Sequence, residues 1–185
     1  DVNFNGINVG TFEFQAHTEG KSYSLSGSAH LTILLFNWIG EVRTFGLLPA
    51  SRPPRPAAYS FEFQAASKTG STRMDFAGGN VTEVRHTPPA PPKTDIVPLR
   101  QQHLKSVLDP LSAILVLASY DSPDPCERRL PIFDGKERFD LVLTYKGQTK
   151  VSEQQPSGQP AIAHVCRVRY RPIAGHLTDA ENSYL

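Results

Sequence analysis

The sequence predicts a mainly β fold, an antiparallel and strongly curved sheet with one short helix packed on it, and three observations carry that prediction. The pentapeptide FEFQA occurs twice, at Phe12–Ala16 and Phe61–Ala65, each time with the period-two alternation of a half-buried strand. Further alternating segments follow one another as sequential hairpins, with no βαβ rhythm. A single segment carries a convincing helix signal.

In order along the chain, the first FEFQA places Phe12, Phe14 and Ala16 on one strand face. The polar turn HTEG (17–20) follows, then a run with Tyr23 and Leu25 between serines. WIGEVRTFG (38–46) is the next expected strand. The second FEFQA is followed by SKTG (67–70), by Met74 and Phe76 around Asp75, and by NVTEV (80–84). The repeat therefore marks corresponding strands of two hairpins, with the phenylalanines inward and Glu13, Gln15, Glu62 and Gln64 outward. The prolines cluster at 51–58, 87–93 and 121–126, where they read as stiff connectors, because proline lacks the donor that a central strand needs. In LDPLSAILVLAS, Asp109 can cap, Pro110 suits the first helical position, and Leu111, Ile114, Leu115 and Ala118 recur at helical spacing, so a helix is expected at 109–119. Asp134-Gly135 between RLPI and ERFDLVLTY is a hairpin signal. In the last strand, Ile162, His164, Cys166, Val168 and Tyr170 share one face and Arg167 and Arg169 the other. The expected total is eight to ten strands.

The 185 residues, 39% hydrophobic and with a formal net charge of +1, suit one β domain spanning 1–185 with a substantial core. No basic stripe or aromatic-basic motif suggests nucleic acid. The longest apolar run, LTILLFNWIG (31–40), is half the roughly 20 residues needed to span a bilayer. It is expected to be core or an apolar wall, and the protein is not expected to be integral to a membrane. Starting at Asp rather than Met, the chain reads as a mature or trimmed form from which a signal peptide has been removed.

Chemistry-bearing motifs are scarce. The sequence contains no GxSxG elbow, P-loop, strand-linked GxGxxG or HExxH, so no catalytic residue, cofactor or metal site is expected. The six histidines are scattered; His164 is expected to be a hydrogen-bonded core residue. Asp134 is explained by its turn, and Asp140 is expected to alternate outward. Arg128, Arg129, Arg138, Arg167, Arg169 and Arg171 make the last third locally basic, a solvated face or an attraction for an anionic lipid or polymer. Cys126 and Cys166 lack metal or redox spacing, leaving either free core thiols or one disulfide.

Taken in order, NGINVG, FGLLPA, MDFAGG, VLDPLSAIL, CERRLPIFDGKERFDL and CRVRYRPIAGH resemble the bacterial family catalogued as domain of unknown function 3108, over essentially the whole chain. The resemblance implies a small exported protein of Gram-negative bacteria, in the periplasm or outer envelope. With it comes the expectation that Cys126 and Cys166 are bridged, because both fall within matching blocks and export favours oxidation. It also implies an open barrel or β-spiral, similar in architecture to carriers that shelter acyl chains. The family pattern continues with β sequence beyond Gly175-His176, so this chain reads as a domain short of its final strands.

Two functions follow as expectations, neither of them enzymatic. In one, the curved sheet shelters a lipid or other hydrophobic molecule in an apolar groove flanked by the helix, with Phe12, Phe14, Phe36, Trp38, Phe61, Phe63 and Met74 as lining. In the other, it is an envelope-integrity module that binds another protein or the cell wall through its surface.

Overall fold

A computed structural model describes residues 2–4, 7–33, 36–49, 53–90, 94–118, 125–154 and 160–178. Seven strands run as an uninterrupted antiparallel meander: β1 (Val2–Phe4), β2 (Ile7–Glu19), β3 (Ser22–Ile33), β4 (Phe36–Leu47), β5 (Arg55–Ala65), β6 (Lys68–Ala77) and β7 (Asn80–Thr87). A 3₁₀ turn (Gln101–Leu104) and helix α1 (Pro110–Ala118) follow. A second antiparallel sheet then forms from β8 (Arg128–Phe133), β9 (Arg138–Gln154) and β10 (Pro160–Ala174), with β9 central. Among the described residues, no helix is long and apolar enough to cross a membrane.

The expected single sheet is thus two, and the reason is local. Next to β8 lies not β7 but the segment entering the helix: Leu108 bridges Ile132 in parallel, its N–H donating to Pro131 O at 2.9 Å and its carbonyl accepting from Phe133 N at 2.9 Å. That segment covers the edge β8 would otherwise expose. Its preceding residue reaches the first sheet, Val107 N donating to Gly79 O at 3.1 Å. In the larger sheet β1 and β7 lie at opposite ends of the strand order, so it does not close on itself.

Both FEFQA copies open hairpins, as expected. The first turn lies at Gly20-Lys21, with Glu19 opposite Ser22, and the second at Ala66-Ser67, with Ala65 opposite Lys68. On β5, Tyr59 is buried and Phe61 and Phe63 half-buried, while Glu62 and Gln64 are exposed. The first copy differs. Phe12 and Phe14 share the face of Leu25 but are 48% and 41% exposed, because among the described residues no element covers that end of the sheet. LTILLFNWIG is a wall rather than core: Leu31 and Trp38 are half-buried, Ile39 is exposed, and positions 34–35 lie outside the described residues.

Packing is concentrated around the helix. Leu111 packs with Tyr23 and Leu25 of β3. On another face, Ala113 and Val116 join Leu108, Leu130, Ile132 and Leu143. A third cluster sets Phe133 of β8 against Tyr59, Met74, Phe76 and Val81 of the larger sheet. The apolar stripe expected for the helix holds at Leu111 and Leu115 but not at Ile114, which is exposed while Ala113 and Val116 are buried, because α1 sits between two sheets and buries two sides; the Ala118 side chain lies outside the described residues. Arg128 Nη1 donates to the Val116 carbonyl at 2.7 Å near the helix end, where a cation also complements the dipole. Two other expectations fail in the second sheet. Asp140 is fully buried, held by Arg138 Nη1 at 2.8 Å and by Arg129 Nε at 2.6 Å. His164 is exposed, its ring 6.0 Å from that of Tyr145, because the helix stops short of that stretch of β10.

Cys126 and Cys166 form a disulfide, their Cα atoms 5.2 Å apart and 40 residues apart in sequence. It ties the turn before β8 to β10 across the intervening strand. Closing a loop of that length stabilises by about 4 kcal/mol in the chain-entropy model, so the Cys126→Ala/Cys166→Ala double variant should lose roughly that amount in urea unfolding. An unchanged midpoint and slope would contradict the assignment. Truncating Phe133, 1% exposed, to alanine should cost about 3–5 kcal/mol, whereas Phe63→Ala at its half-covered position should cost about 1 kcal/mol. Equal losses at the two positions would mean that the core is misplaced.

Candidate functional site

Two arrangements stand out. The first is a buried polar cluster at the helix N-terminus. The Asp109 side chain accepts from the backbone N–H groups of Leu111 and Ser112, both at 3.0 Å through Oδ1, which satisfies two of the unpaired donors of the first turn. Its Oδ2 accepts from Ser112 Oγ at 2.5 Å and lies 3.0 Å from Thr44 Oγ1. Since Ser112 gives its only hydroxyl hydrogen to Asp109, the Tyr23 hydroxyl, 2.6 Å away, donates to Ser112. Thr44 Oγ1 also lies 3.0 Å from Ala58 O, and its one hydrogen cannot serve both acceptors. The hydroxyl therefore donates to one of the two at a time. Burial pushes the Asp109 carboxyl above its ordinary range, against the opposing pull of its hydrogen bonds to Ser112, Thr44 and Leu111. Burial likewise pushes the Tyr23 hydroxyl up to about 12. Asp109 and Ser112 are both 0% exposed, so the cluster clamps the helix to β3 and β4 rather than meeting a substrate.

The second arrangement is an apolar groove of about 960 Å³ at the far end of the larger sheet. Its floor includes Phe61 and Phe63 of β5, whose rings lie 6.0 Å apart and nearly parallel, with Trp38 of β4 6.2 Å beyond Phe61. These rings lie against bare backbone. A Cβ at Gly70 would come within 2.5 Å of the Phe63 ring, and one at Gly40 within 2.1 Å of the Trp38 ring. Glycine opposite an aromatic lets the ring lie flat on the sheet. The other walls come from loops. Pro88 and Pro89 follow β7, and Ile96 and Leu99 extend from a segment paired with the end of β10. In that pairing Gly175 N donates to Val97 O at 2.7 Å and Val97 N to His176 O at 3.0 Å.

The β8–β9 turn closes one end. Asp134 Oδ1 accepts from Lys136 N at 2.8 Å and Glu137 N at 2.7 Å, which shapes the turn. His86 of β7 accepts through Nδ1 from Thr72 Oγ1 and donates through Nε2 to Gly135 O, each at 3.1 Å. Gly135 (φ +98°) and Gly175 (φ +85°) occupy the left-handed region, and a Cβ on either would collide, with Thr72 Cγ2 at 2.4 Å and Lys136 O at 2.1 Å respectively.

Of the seven expected lining residues, the groove includes Phe61 and Phe63. Trp38 adjoins them, and Phe12 and Phe14 continue the same face toward the sheet edge. Met74 is not available: it is 1% exposed and packed in the core beneath Phe133. Phe36 begins β4, but its side chain lies outside the described residues. The helix does not flank the groove: none of its described residues lines it, and its buried residues pack between the two sheets. Sequence reasoning missed Pro88, Pro89, Ile96 and Leu99, which stand in segments without periodicity; their proline content was the only signal. Among the described residues, no cluster of three or more His, Cys, Asp or Glu side chains could hold a metal ion.

The clamp makes a signed prediction. A carboxyl whose folded pKa exceeds its unfolded value binds protons more tightly when folded, so its stabilising contribution is complete below about pH 4 and is lost as pH rises through the folded value. Relative to Asp109→Asn, the wild-type protein should therefore lose unfolding free energy between pH 4 and pH 7. Parallel profiles across that range would refute the raised pKa.

No curated protein and no solved structure matches the chain. A family model described as "Protein of unknown function (DUF3108)" matches residues 1–184, and the chain belongs to that family.

Proposed function

We propose that the protein is a non-enzymatic component of the bacterial periplasm that shelters a lipid or other hydrophobic molecule in the groove over Phe61 and Phe63. The observation that carries this reading is an open apolar concavity of about 960 Å³, near the upper end of the range for pockets that enclose a small ligand. A strongly curved, open-barrel form of the larger sheet accords with it. Its register shifts at Phe45/Gly46 and Asp75/Phe76, and such bulges bend and twist strands. The disulfide suits an oxidising compartment. A binding role rather than catalysis is favoured because the best hydroxyl–carboxylate pair, Ser112 with Asp109, is sealed from solvent.

The alternative, an envelope-integrity module that docks another protein or the cell wall through its surface, draws support from Phe12 and Phe14, exposed on the outlying part of the same face. Titration with a fluorescent fatty acid separates the two. The groove reading expects saturable binding at micromolar concentration, weakened about tenfold in Phe61→Ala/Phe63→Ala through lost apolar contact. It also expects a lipid to remain bound in native mass spectra of protein purified from its own host. Absence of binding in both measurements leaves the surface module as the better account.

A further inference from the structure

The charges around the groove are not evenly placed. Among its described lining residues none is acidic, and the only full cations are Lys68 and Lys136, both exposed. Neither lysine side chain has an ion-pair partner among the described residues. The two stand at opposite ends. Lys68 begins β6, and Lys136 sits in the turn whose Gly135 abuts Thr72 and His86. Four residues of extended strand, roughly 13 Å, separate Lys68 from Thr72. Phe61 lies opposite Thr72 and Phe63 opposite Gly70, so the aromatic floor fills the space between.

The carboxylates near the groove are turned away or engaged elsewhere. Glu41 and Glu62 stand directly opposite each other on β4 and β5 and line a depression of about 410 Å³ that shares Phe63, Thr69, Gly70 and Ser71 with the groove, but they alternate with Phe61 and Phe63 and so point to the other face of the sheet. Each is paired with an arginine, Glu41 with Arg43 and Glu62 with Arg73. At the Lys136 end the nearby carboxylates are otherwise engaged: Asp134 accepts from its own turn, and Glu137 accepts from the Tyr170 hydroxyl at 3.0 Å. That end therefore offers an ammonium group on a turn pinned by His86 and Asp134, with no carboxylate lining it.

From this lining of cations without carboxylates we infer that the occupant of the groove is a single-chain anionic amphiphile, its charged head at Lys136, the end that the β8–β9 turn closes, and its tail over Phe61 and Phe63. The inference rests on the hydrophobic-ligand reading above and specifies its chemistry and orientation. Lys136 supplies a flexible point charge on a long stem, suited to a carboxylate or phosphate head. The aromatic floor supplies apolar contact that is indifferent to head charge. The preference for an anion is accordingly screened by salt, while tail binding is not.

The test uses the full, disulfide-bonded chain with a fluorescent fatty acid displaced by hexadecanoate or by hexadecanol. At low ionic strength the acid should displace the probe at about three- to fivefold lower concentration than the alcohol, the range expected of an exposed ion pair. Lys136→Gln should abolish that preference and leave hexadecanol unchanged; Lys68→Gln should keep it. Phe61→Ala/Phe63→Ala should weaken both ligands together. Equal affinity for acid and alcohol in the wild type identifies a neutral hydrophobic occupant and overturns the proposal. So does a preference that survives Lys136→Gln, or one that vanishes in Lys68→Gln instead. Should neither ligand bind, the hydrophobic-ligand reading itself falls, an outcome distinct from loss of the acid preference alone.

Discussion

The Asp109 side chain is the constraint on which the rest of the arrangement depends. It caps α1, accepts from Ser112 and lies against Thr44, while Tyr23 is joined through Ser112. Removing a carboxyl from water costs several kcal/mol unless its lone pairs are met. Here they are met only when the helix N-terminus arrives over one particular point of β3 and β4. A shift of one residue in either strand would turn Tyr23 or Thr44 to the opposite face. The cluster therefore specifies where the helix docks as much as it stabilises the docking. The same short helix then holds both sheets, through Leu111 on one side and Ala113 and Val116 on the other.

Where the core lies decides where it is absent. Helix, Phe133 and the segment at 107–109 fill the space over Tyr23, Leu25, Tyr59 and Met74. Beyond them the same sheet face continues with Phe12, Phe14, Trp38, Phe61 and Phe63, uncovered or half-covered. Alternation cannot distinguish these two stretches, since both point apolar side chains the same way. What distinguishes them is the length of the partner: α1 is nine residues, about 14 Å, while β3 and β4 have twelve residues each, about 40 Å.

Much of the fold could be read from residue patterns because the signals were local. The FEFQA hairpins, the Asp109-Pro110 helix start and the Asp134-Gly135 turn all depend on residues within a few positions of one another. Non-local facts could not be read that way. The division into two sheets follows from Leu108 pairing with Ile132 across the helix, which no periodicity announces. Asp140 obeys alternation, yet its side of the second sheet is covered by the side chains of Arg129 and Arg138. The candidate site was legible to the same degree. Phe61 and Phe63 stand on a patterned strand, whereas Pro88, Pro89, Ile96 and Leu99 become walls only once the segment at 95–97 pairs with the end of β10.

Two glycines explain how a groove persists between parts held together elsewhere. Gly135 lets the β8–β9 turn approach Thr72 and His86, and Gly175 lets the exit of β10 pass the carbonyl of Lys136. Both contacts are backbone-close and lie at the β8–β9 turn end of the second sheet, whereas Cys166 of the disulfide pairs with Tyr145 midway along β9. The second sheet is thus tied to the larger one by the helix, by Phe133 and by tight turn packing, while the disulfide braces it internally. Of the aromatic floor, Phe61 also packs against the Phe133 cluster, whereas Phe63 takes no part in it. The ring of Phe63 can thus meet a ligand without taking apart the contacts between the two sheets, while Phe61 anchors the floor to the core, a division that a binding groove requires of a small β protein.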